Sequence, residues 1–439
     1  MKTIEIDPLI STMELRSILD GIDDDYLLIV NKRWNVTVRP DAVKRMMQIA
    51  YDAGVAWLYG DYVVERADGS TEFHPTCDYL PGSFRDDFDF GGVILVRTSL
   101  LKNAVWICPH YQYAALYAAR LIISAEELVF HLPETLSYVA DRPLREGEAQ
   151  FDYVDPRNRA VQIEMELAFT AYLRMTGAFL SPRTRLVDID AGDFANEVSV
   201  IIPVKNRART IADAVASALG QKLDKPFNVI VVDNHSTDGT SEVLAALAAR
   251  EPRLLVITPE PDDLGIGGCW NRAVEHPECG RYSVQLDSDD RYKTEHTLQK
   301  IVDCFRRERV AMVVGSYELT DFDGNPIPPG LIDHSEWTQN NGHNNALRIN
   351  GFGAPRAFFT PVIREVGVPN VSYGEDYGVG IRITRVYKMA RIFESLYLCR
   401  RWEGNSDHAV SPRVAVEHNH YKDWLRTIAL KARKKMNRP

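Results

Sequence analysis

Between residues 198 and 257, short β-branched apolar runs alternate with amphipathic segments, and this alternation leaves the backbone few options. Val198 to Ile202 reads as a strand ended by Pro203, and Ile211, Ala214, Val215, Ala218 and Leu219 then fall on one helical face. A second strand over Val229 to Val232, a helix near Ser241 to Ala249 and a third strand over Leu254 to Ile257 follow. Successive strand–helix units of this length predict an α/β fold with a mixed, mainly parallel sheet and flanking helices. Such sheets bind ligands beyond the carboxyl ends of their strands. Pro203, Asp233 and Asp287 each stand at or just after such an end, so they are expected to meet in one crevice.

The chain has 439 residues, 45% of them hydrophobic, which is more than one ordinary domain needs. The expected divisions are an N-terminal α/β domain over 1–150, a helix (Val161 to Met175) and linker over 151–194, a main domain over 195–410, and a helical basic tail over 411–439. A net charge of −10 argues against a nucleic-acid partner. Six cysteines without a Cys-x-x-Cys pair suggest neither a disulfide scaffold nor a zinc site, and fit a reducing cytoplasm. The first thirty residues lack a signal pattern, and no apolar run approaches the roughly 18 residues that span a bilayer. A soluble, cytoplasmic protein is expected. Lys431, Arg433, Lys434, Lys435 and Arg438 crowd the end of the sequence. They read as a solvated helix end or, more sharply, as a peripheral contact with the anionic inner face of a membrane.

The sequence also repeats itself. Tyr26-Leu-Leu-Ile-Val-Asn31 matches Tyr282-Ser-Val-Gln-Leu-Asp287, Tyr59-Gly-Asp-Tyr62 matches Val314-Gly-Ser-Tyr317, and Asp68-Gly69 matches Asp323-Gly324, at an offset of 255 to 256 residues. Further on, at an offset near 262, Phe90-Gly91-Gly92 matches Gly351-Phe-Gly353, and Gln112-Tyr113 matches Glu375-Asp376. These pairs predict an internal duplication in which residues 25–140 copy 281–402. The first copy has Asn31 and Arg33 in place of Asp287 and Asp289, and Gln112 and Tyr113 in place of Glu375 and Asp376. It is expected to lack catalytic chemistry and any counterpart of the half preceding residue 281.

Three carboxylates in four positions close the segment Gln285-Leu-Asp287-Ser288-Asp289-Asp290. Adjacent negative charges repel one another unless solvated or neutralised, and hard divalent cations prefer oxygen ligands. The context is Ser199-Val-Ile-Ile-Pro-Val-Lys-Asn206-Arg207, Val231-Val-Asp233, Asp238-Gly239-Thr240, Gly265-Ile-Gly-Gly268-Cys-Trp-Asn271 and Gly374-Glu375-Asp376. In this order the motifs resemble glycosyltransferase family 2, over about 210 of the 439 residues. The resemblance implies the GT-A (Rossmann-like) fold, with the N-terminal domain resembling the acceptor half of that fold. It also implies an inverting, metal-assisted transfer of a sugar from a UDP- or GDP-linked donor to a hydroxyl-bearing glycan or lipid-linked acceptor.

By the same resemblance, Pro203, Asn206, Arg207, Asp233, Gly268, Asn271, Asp287, Ser288 and Asp289 face the nucleotide sugar. Asp287, Asp289 and Asp290, with His408, hold Mn²⁺ or Mg²⁺. Asp376 takes the acceptor proton, with Glu375 as alternative base or supporting partner. Asp238-Gly239-Thr240 reads more simply as a helix cap. His343, Asn345, Arg348 and Trp402 are candidate acceptor contacts, because amides and aromatics suit sugar hydroxyls and ring faces. Leu398 stands where processive members of the family begin a Gln-x-x-Arg-Trp motif, so a non-processive enzyme is expected. Two other readings stay open: a sugar nucleotidyltransferase, although Pro203 to Arg207 lacks the glycine-rich loop it would need, and a catalytically silent glycan-binding or scaffold protein.

Overall fold

The computed structural model describes residues 1–140, 158–182, 185–260, 264–405 and 410–438. The chain folds as two compact units: one comprises Met1–Leu180, Leu347–Ile349 and Ala409–Pro439, the other Ser181–Ala346 and Asn350–His408. The first division therefore falls at 180/181, within the segment expected as a linker.

The first unit contains β1 (Lys2–Ile6), α1 (Thr12–Leu19), β2 (Tyr26–Asn31), β3 (Asn35–Val38), α2 (Ala42–Ala53), β4 (Trp57–Glu65), β5 (Thr71–His74), β6 (Val93–Arg97), α3 (Thr98–Ile107), α4 (Ala115–Ser124), β7 (Val129–Ala140) and α5 (Arg159–Met175). Its seven strands run in the order β1-β2-β6-β4-β7-β3, with β5 on β4. Alternate residues of β2 and β4 serve opposite faces, as the two-residue period of a strand requires. Leu27, Ile29, Trp57 and Tyr59 pack among residues of α1, α3 and α4. Tyr26, Leu28, Val30 and Leu58 pack with Ala42, Met46 and Ala50 of α2.

The second unit contains β8 (Val198–Val204), α6 (Ile211–Leu219), β9 (Phe227–Asp233), α7 (Thr240–Ala248), β10 (Leu254–Ile257), α8 (Ile266–Glu275), β11 (Tyr282–Gln285), β12 (Arg291–Tyr292), α9 (Thr297–Glu308), β13 (Met312–Thr320), β14 (Pro326–Ile332), α10 (Gly342–Asn345), β15 (Arg356–Phe359), α11 (Thr360–Val366), α12 (Glu375–Val386) and β16 (Met389–Arg400). Its nine strands run β10-β9-β8-β11-β15-β13-β16-β12, with β14 on β13. The half formed by β10, β9, β8 and β11 is parallel. The strand β15 is antiparallel to both its neighbours. All seven residues of β9 are buried, as expected of a central strand covered on both faces.

Between the two sheets the correspondence is strand for strand. The order β1-β2-β6-β4-β7-β3 repeats β8-β11-β15-β13-β16-β12, and β5 hangs on β4 as β14 hangs on β13. The parallel pairs β4–β7 and β13–β16 also share a pair of register shifts, at Gly60 to Tyr62 and at Val314 to Tyr317. Two sequence expectations change. Because β1 pairs with β2 as β8 pairs with β11, the first copy does retain one strand of the preceding half. What it lacks is the α6-β9-α7-β10 excursion. The helix α4 begins at Ala115 where α12 begins at Glu375, so Ala115-Leu116, rather than Gln112-Tyr113, stand in for Glu375-Asp376. Gln112 and Tyr113 instead donate their backbone N–H groups to the Glu164 carboxylate, at 2.9 and 2.7 Å.

The tail forms α13 (Pro412–Met436), capped by Ser411 and grouped with the first unit. Asp423, Arg426 and Arg433 on it are fully buried, so the segment is not a solvated basic extension throughout. Among the described residues no helix is long and apolar enough to cross a membrane.

Candidate active site

A cleft of about 270 Å³ in the second unit is lined by Pro203, Arg207, the acidic run Asp287 to Asp290, Arg356, Glu375-Asp376 and Asn405, with Trp270, Phe358 and Val379 among its apolar walls. The parallel strands β8 and β11 end here, and α12 contributes its first turn. The backbone turns into that helix through Gly374, whose φ of 80° is left-handed and readily adopted only by a residue without Cβ.

The three aspartates have different surroundings. Gln285 Nε2 donates to both carboxylate oxygens of Asp287, at 2.9 and 3.0 Å. Asp287 N donates to the Tyr397 hydroxyl at 2.9 Å. Protein crowded around the Asp287 carboxylate, with Asp289 and Asp376 nearby, holds its pKa above the ordinary value against the pull of Arg356 and Gln285. Asp290 is buried, and its Oδ1 accepts from Arg400 N at 2.8 Å. Burial, followed by repulsion from Asp289 and Asp287, raises its pKa strongly. Asp289 Oδ2 accepts from Asn405 Nδ2 at 3.1 Å and Trp402 Nε1 at 3.3 Å, with Arg207 Nε at 3.8 Å.

In the same cleft, Arg356 Nη1 pairs with Asp376 Oδ2 at 2.9 Å. Asp376 Oδ1 accepts from Tyr377 N at 2.7 Å. Glu375 is buried, and its Oε2 meets no hydrogen-bond partner among the described residues. Burial first, and then Asp376, push its pKa up to about 8. Carboxylates outnumber cations around this cleft.

Several residues expected at the nucleotide also hold the loops around the cleft. Asp233 is buried, accepting from Ser236 N at 3.1 Å through one oxygen and from the Ser241 hydroxyl through the other. Asn206 adopts φ of 56° and receives Thr237 N at 2.8 Å. Asp238 binds Ala208 N and Thr240 N, each at 3.0 Å, consistent with a cap. Asn271 both donates to Val368 O and accepts from Val368 N, at 2.8 and 2.9 Å. A Cβ on Gly268 would lie 2.2 Å from Asn370 Oδ1, so this glycine permits close packing. Pro203, Arg207 and Ser288 do line the cleft.

The acceptor candidates are divided between the two units. His343 and Asn345 are buried on the short helix α10, whereas Arg348 belongs to the first unit and pairs with Asp86 at 2.6 Å. Trp402 is the one held at the acidic run. Its segment is ordered by Arg209, whose guanidinium lies 4.0 Å from the Phe322 ring centre and 5.1 Å from that of Trp402. His408 lies outside the described residues. Sequence reasoning missed Arg356, Tyr397 and Asn405. The first two lie on strands that reach the site through non-local pairing, and no local pattern marks them.

Residues 199–362 match the family model described as "Glycosyl transferase family 2". A Bacillus subtilis protein named as a teichuronic acid biosynthesis glycosyltransferase, TuaG, is 35% identical over 130 residues, which are 30% of this chain and 50% of that protein. The chondroitin synthase of Escherichia coli is 34% identical over 134 residues, covering 30% of this chain and 19% of that one. The chain thus spans half or less of the length of these relatives. Among solved structures, S. aureus TarS 1-349 in complex with UDP-GlcNAc aligns at 20% identity and a TM-score of 0.43, over 52% of this chain and 66% of that one. The mannosyltransferase PcManGT from Pyrobaculum calidifontis in complex with GDP-Man and Mn²⁺ aligns at 17% identity and a TM-score of 0.38, over 64% and 85%. Residues 199–362, which hold the parallel half of the sheet and the acidic run of the cleft, are thus similar to glycosyl transferase family 2 domains.

Proposed function

We propose that the cleft transfers one sugar from a UDP- or GDP-linked donor to a hydroxyl of a glycan or lipid-linked acceptor, with inversion at the anomeric carbon. The observation that carries this reading is the convergence of two acidic groups on one cleft, Asp287/Asp289 from the run after β11 and Asp376 from the start of α12. An acceptor hydroxyl is too weakly acidic to ionise unaided, so a carboxylate must take its proton as it attacks. Asp376 fills that role, steered by Arg356. Glu375, whose pKa lies near 8, is largely protonated at neutral pH and supports Asp376 rather than replacing it. One displacement needs a single base and no enzymatic nucleophile, which gives inversion.

Pro203, Arg207 and Ser288 border the nucleotide, while Asn206, Asp233, Gly268 and Asn271 shape the loops behind it. The donor set suits a divalent cation. Asp289 Oδ1 has no protein partner among the described residues, and the carboxylate of Asp287 nearby is destabilised by burial and by Asp289 and Asp376, a cost that a cation would relieve. No group of three or more ligating side chains is preformed among those residues. This matches the habit of Mg²⁺ and similar ions of taking one or two carboxylates plus substrate phosphates. When bound, Mn²⁺ or Mg²⁺ would stabilise the charge that develops on the leaving diphosphate. Asp290, whose Oδ1 is already held by Arg400 N, and His408 remain candidate further ligands.

The test is transfer and hydrolysis over a panel of UDP- and GDP-sugars with Mn²⁺ or Mg²⁺, using wild type, Asp289→Ala and Asp376→Asn. Turnover lost in both variants is expected. Wild-type turnover in either would sink the assignment.

A further inference from the structure

The first unit carries its own cleft, of about 400 Å³, at the position corresponding to the active site of the second. The pairing registers align Ile6 with Pro203, Asn31 with Asp287 and Ile94 with Arg356. All six residues line their respective clefts. The turn after the strand is also kept: Trp34 N donates to Asn31 O at 3.2 Å as Asp290 N donates to Asp287 O at 3.1 Å. Asp287, Asp289 and Asp290 are therefore replaced by Asn31, Arg33 and Trp34. Leu116 stands in the place of Asp376 and also lines the cleft. The excavation persists although every carboxylate of the reaction is gone from these positions.

What remains has the character of a sugar site. Trp34 and Phe90 are half-exposed rings at the cleft, with Trp57 and Phe88 buried behind. Phe90 sits in an aromatic cluster, 5.5 Å from Trp57 and 4.7 Å from Phe88 between ring centres. Two buried donors lining the same cavity, Trp57 Nε1 and Arg120 Nε, meet no acceptor among the described residues. An unsatisfied buried donor costs on the order of 1–3 kcal/mol, so each marks a place for an acceptor oxygen from outside the chain. Three ion pairs stand around them, while Asp89 accepts from the Tyr62 hydroxyl and Gly91 N, and Arg120 donates to the Phe84 and Arg85 carbonyls. Arg33 pairs with Asp7 at 2.7 Å, Arg85 with Asp87 at 2.8 Å and Arg348 with Asp86 at 2.6 Å. The cleft thus offers aromatic faces, an amide and uncommitted N–H donors, with the Asp86, Asp87 and Asp89 carboxylates set against Arg33 and Arg120, and its volume falls in the range of roughly 300–1,000 Å³ usual for small-molecule sites.

We infer that this second cleft is a non-catalytic saccharide-binding site, taking a hydroxyl-rich sugar unit of a glycan. The inference leans on the proposed transferase activity only in choosing saccharides as the ligand class. A ring stacks on Trp34 and Phe90, Asn31 addresses its hydroxyls, and its oxygens accept from Trp57 Nε1 and Arg120 Nε.

The experiment measures binding of the full chain to immobilised neutral and uronate-containing oligosaccharides, with no nucleotide sugar present. Wild type is compared with Asp289→Ala, Trp34→Ala and Asn31→Ala, and the Trp57 indole N–H resonance, assigned with Trp57→Phe, is followed during titration with the saccharide that binds. Binding retained in Asp289→Ala, weakened at least tenfold in Trp34→Ala or Asn31→Ala, and accompanied by a downfield shift of the Trp57 N–H is expected. Any other distribution overturns the inference: no saccharide bound, binding lost with Asp289 and kept without Trp34 and Asn31, or an unmoved Trp57 signal. Because no transfer is measured, failure of the transferase reading would leave this result standing, and the reverse.

Discussion

Arg356 Nη1 lies 2.9 Å from Asp376 Oδ2, and the same guanidinium pulls down the pKa values of Asp287 and Glu375. One cation on β15 therefore serves both acidic groups of the cleft. Its backbone is fixed in turn, since Arg356 N donates to Gln285 Oε1 at 3.1 Å while the Gln285 amide binds Asp287. Arg356→Met should lower kcat/KM on the order of 10²-fold, the scale of a mispositioned proton acceptor. The acid limb of the pH–rate profile should also move to higher pH, because three carboxylates lose their shared counter-charge. A profile that keeps its shape would contradict this role.

Glu375 gives a stability signature. Its folded-state pKa of about 8 stands above the ordinary 4.5, so between those values the native state binds more protons than the unfolded state. Stability contributed at this position is therefore present at low pH and declines as pH rises from about 4.5 through about 8. Urea unfolding in the presence of a chelator should show wild type losing stability between pH 6 and pH 8 relative to Glu375→Gln, which cannot ionise. Parallel curves for the two proteins would contradict the buried, unpartnered carboxyl.

The neighbouring aspartates should separate by function. Asp289→Ala should abolish transfer and raise the Mn²⁺ concentration needed for any residual activity at least tenfold, with little change in the melting transition. Asp290→Ala should instead destabilise the domain, since its buried Oδ1 holds Arg400 N. Activity against Mn²⁺ concentration and thermal melting, measured side by side, distinguish the two.

Two glycines test packing against conformation. A Cβ on Gly267 would sit 1.8 Å from Pro369 O, whereas Gly324, at φ +94°, has nothing within 4 Å. Gly267→Ala should cost more than about 3 kcal/mol through a backbone clash that no side-chain rotation relieves. Gly324→Ala should cost only roughly 1–2 kcal/mol, from the left-handed backbone alone. Chemical denaturation of both variants checks the order.

In the first unit, Asp423 accepts from Arg426 Nη1 at 2.7 Å and from the Ser83 hydroxyl at 3.0 Å, and is fully buried. Removing one partner of a buried ion pair leaves the other uncompensated, so Asp423→Ala should destabilise by about 3–5 kcal/mol. Loss of α13 helicity on mild denaturation, read by hydrogen exchange, is the expected accompaniment.

The sequence by itself determined the strand–helix alternation of the second unit, the acidic run after β11, the acidic pair opening α12 and the existence of a copy. Each is written in local residue order, as periodicity or as a short motif. Tertiary structure decided what those residues face. Arg356, Tyr397 and Asn405 reach Asp376, Asp287 and Asp289 through strand pairing and loop contacts far apart in the chain. Asp233, Gly268 and Asn271 have motif positions that suit a ligand, and packing shows that they also hold the loops: Asp233 binds Ser236 and Ser241, Asn271 binds Val368, and Gly268 lies against Asn370. The copy shows the same division. Short matched segments revealed it, but strand register aligned Asn31 with Asp287, the turn that follows aligned Trp34 with Asp290, and the starts of α4 and α12 aligned Leu116 with Asp376, because loop lengths drift while hydrogen-bonded pairing cannot slip without turning each side chain to the opposite face.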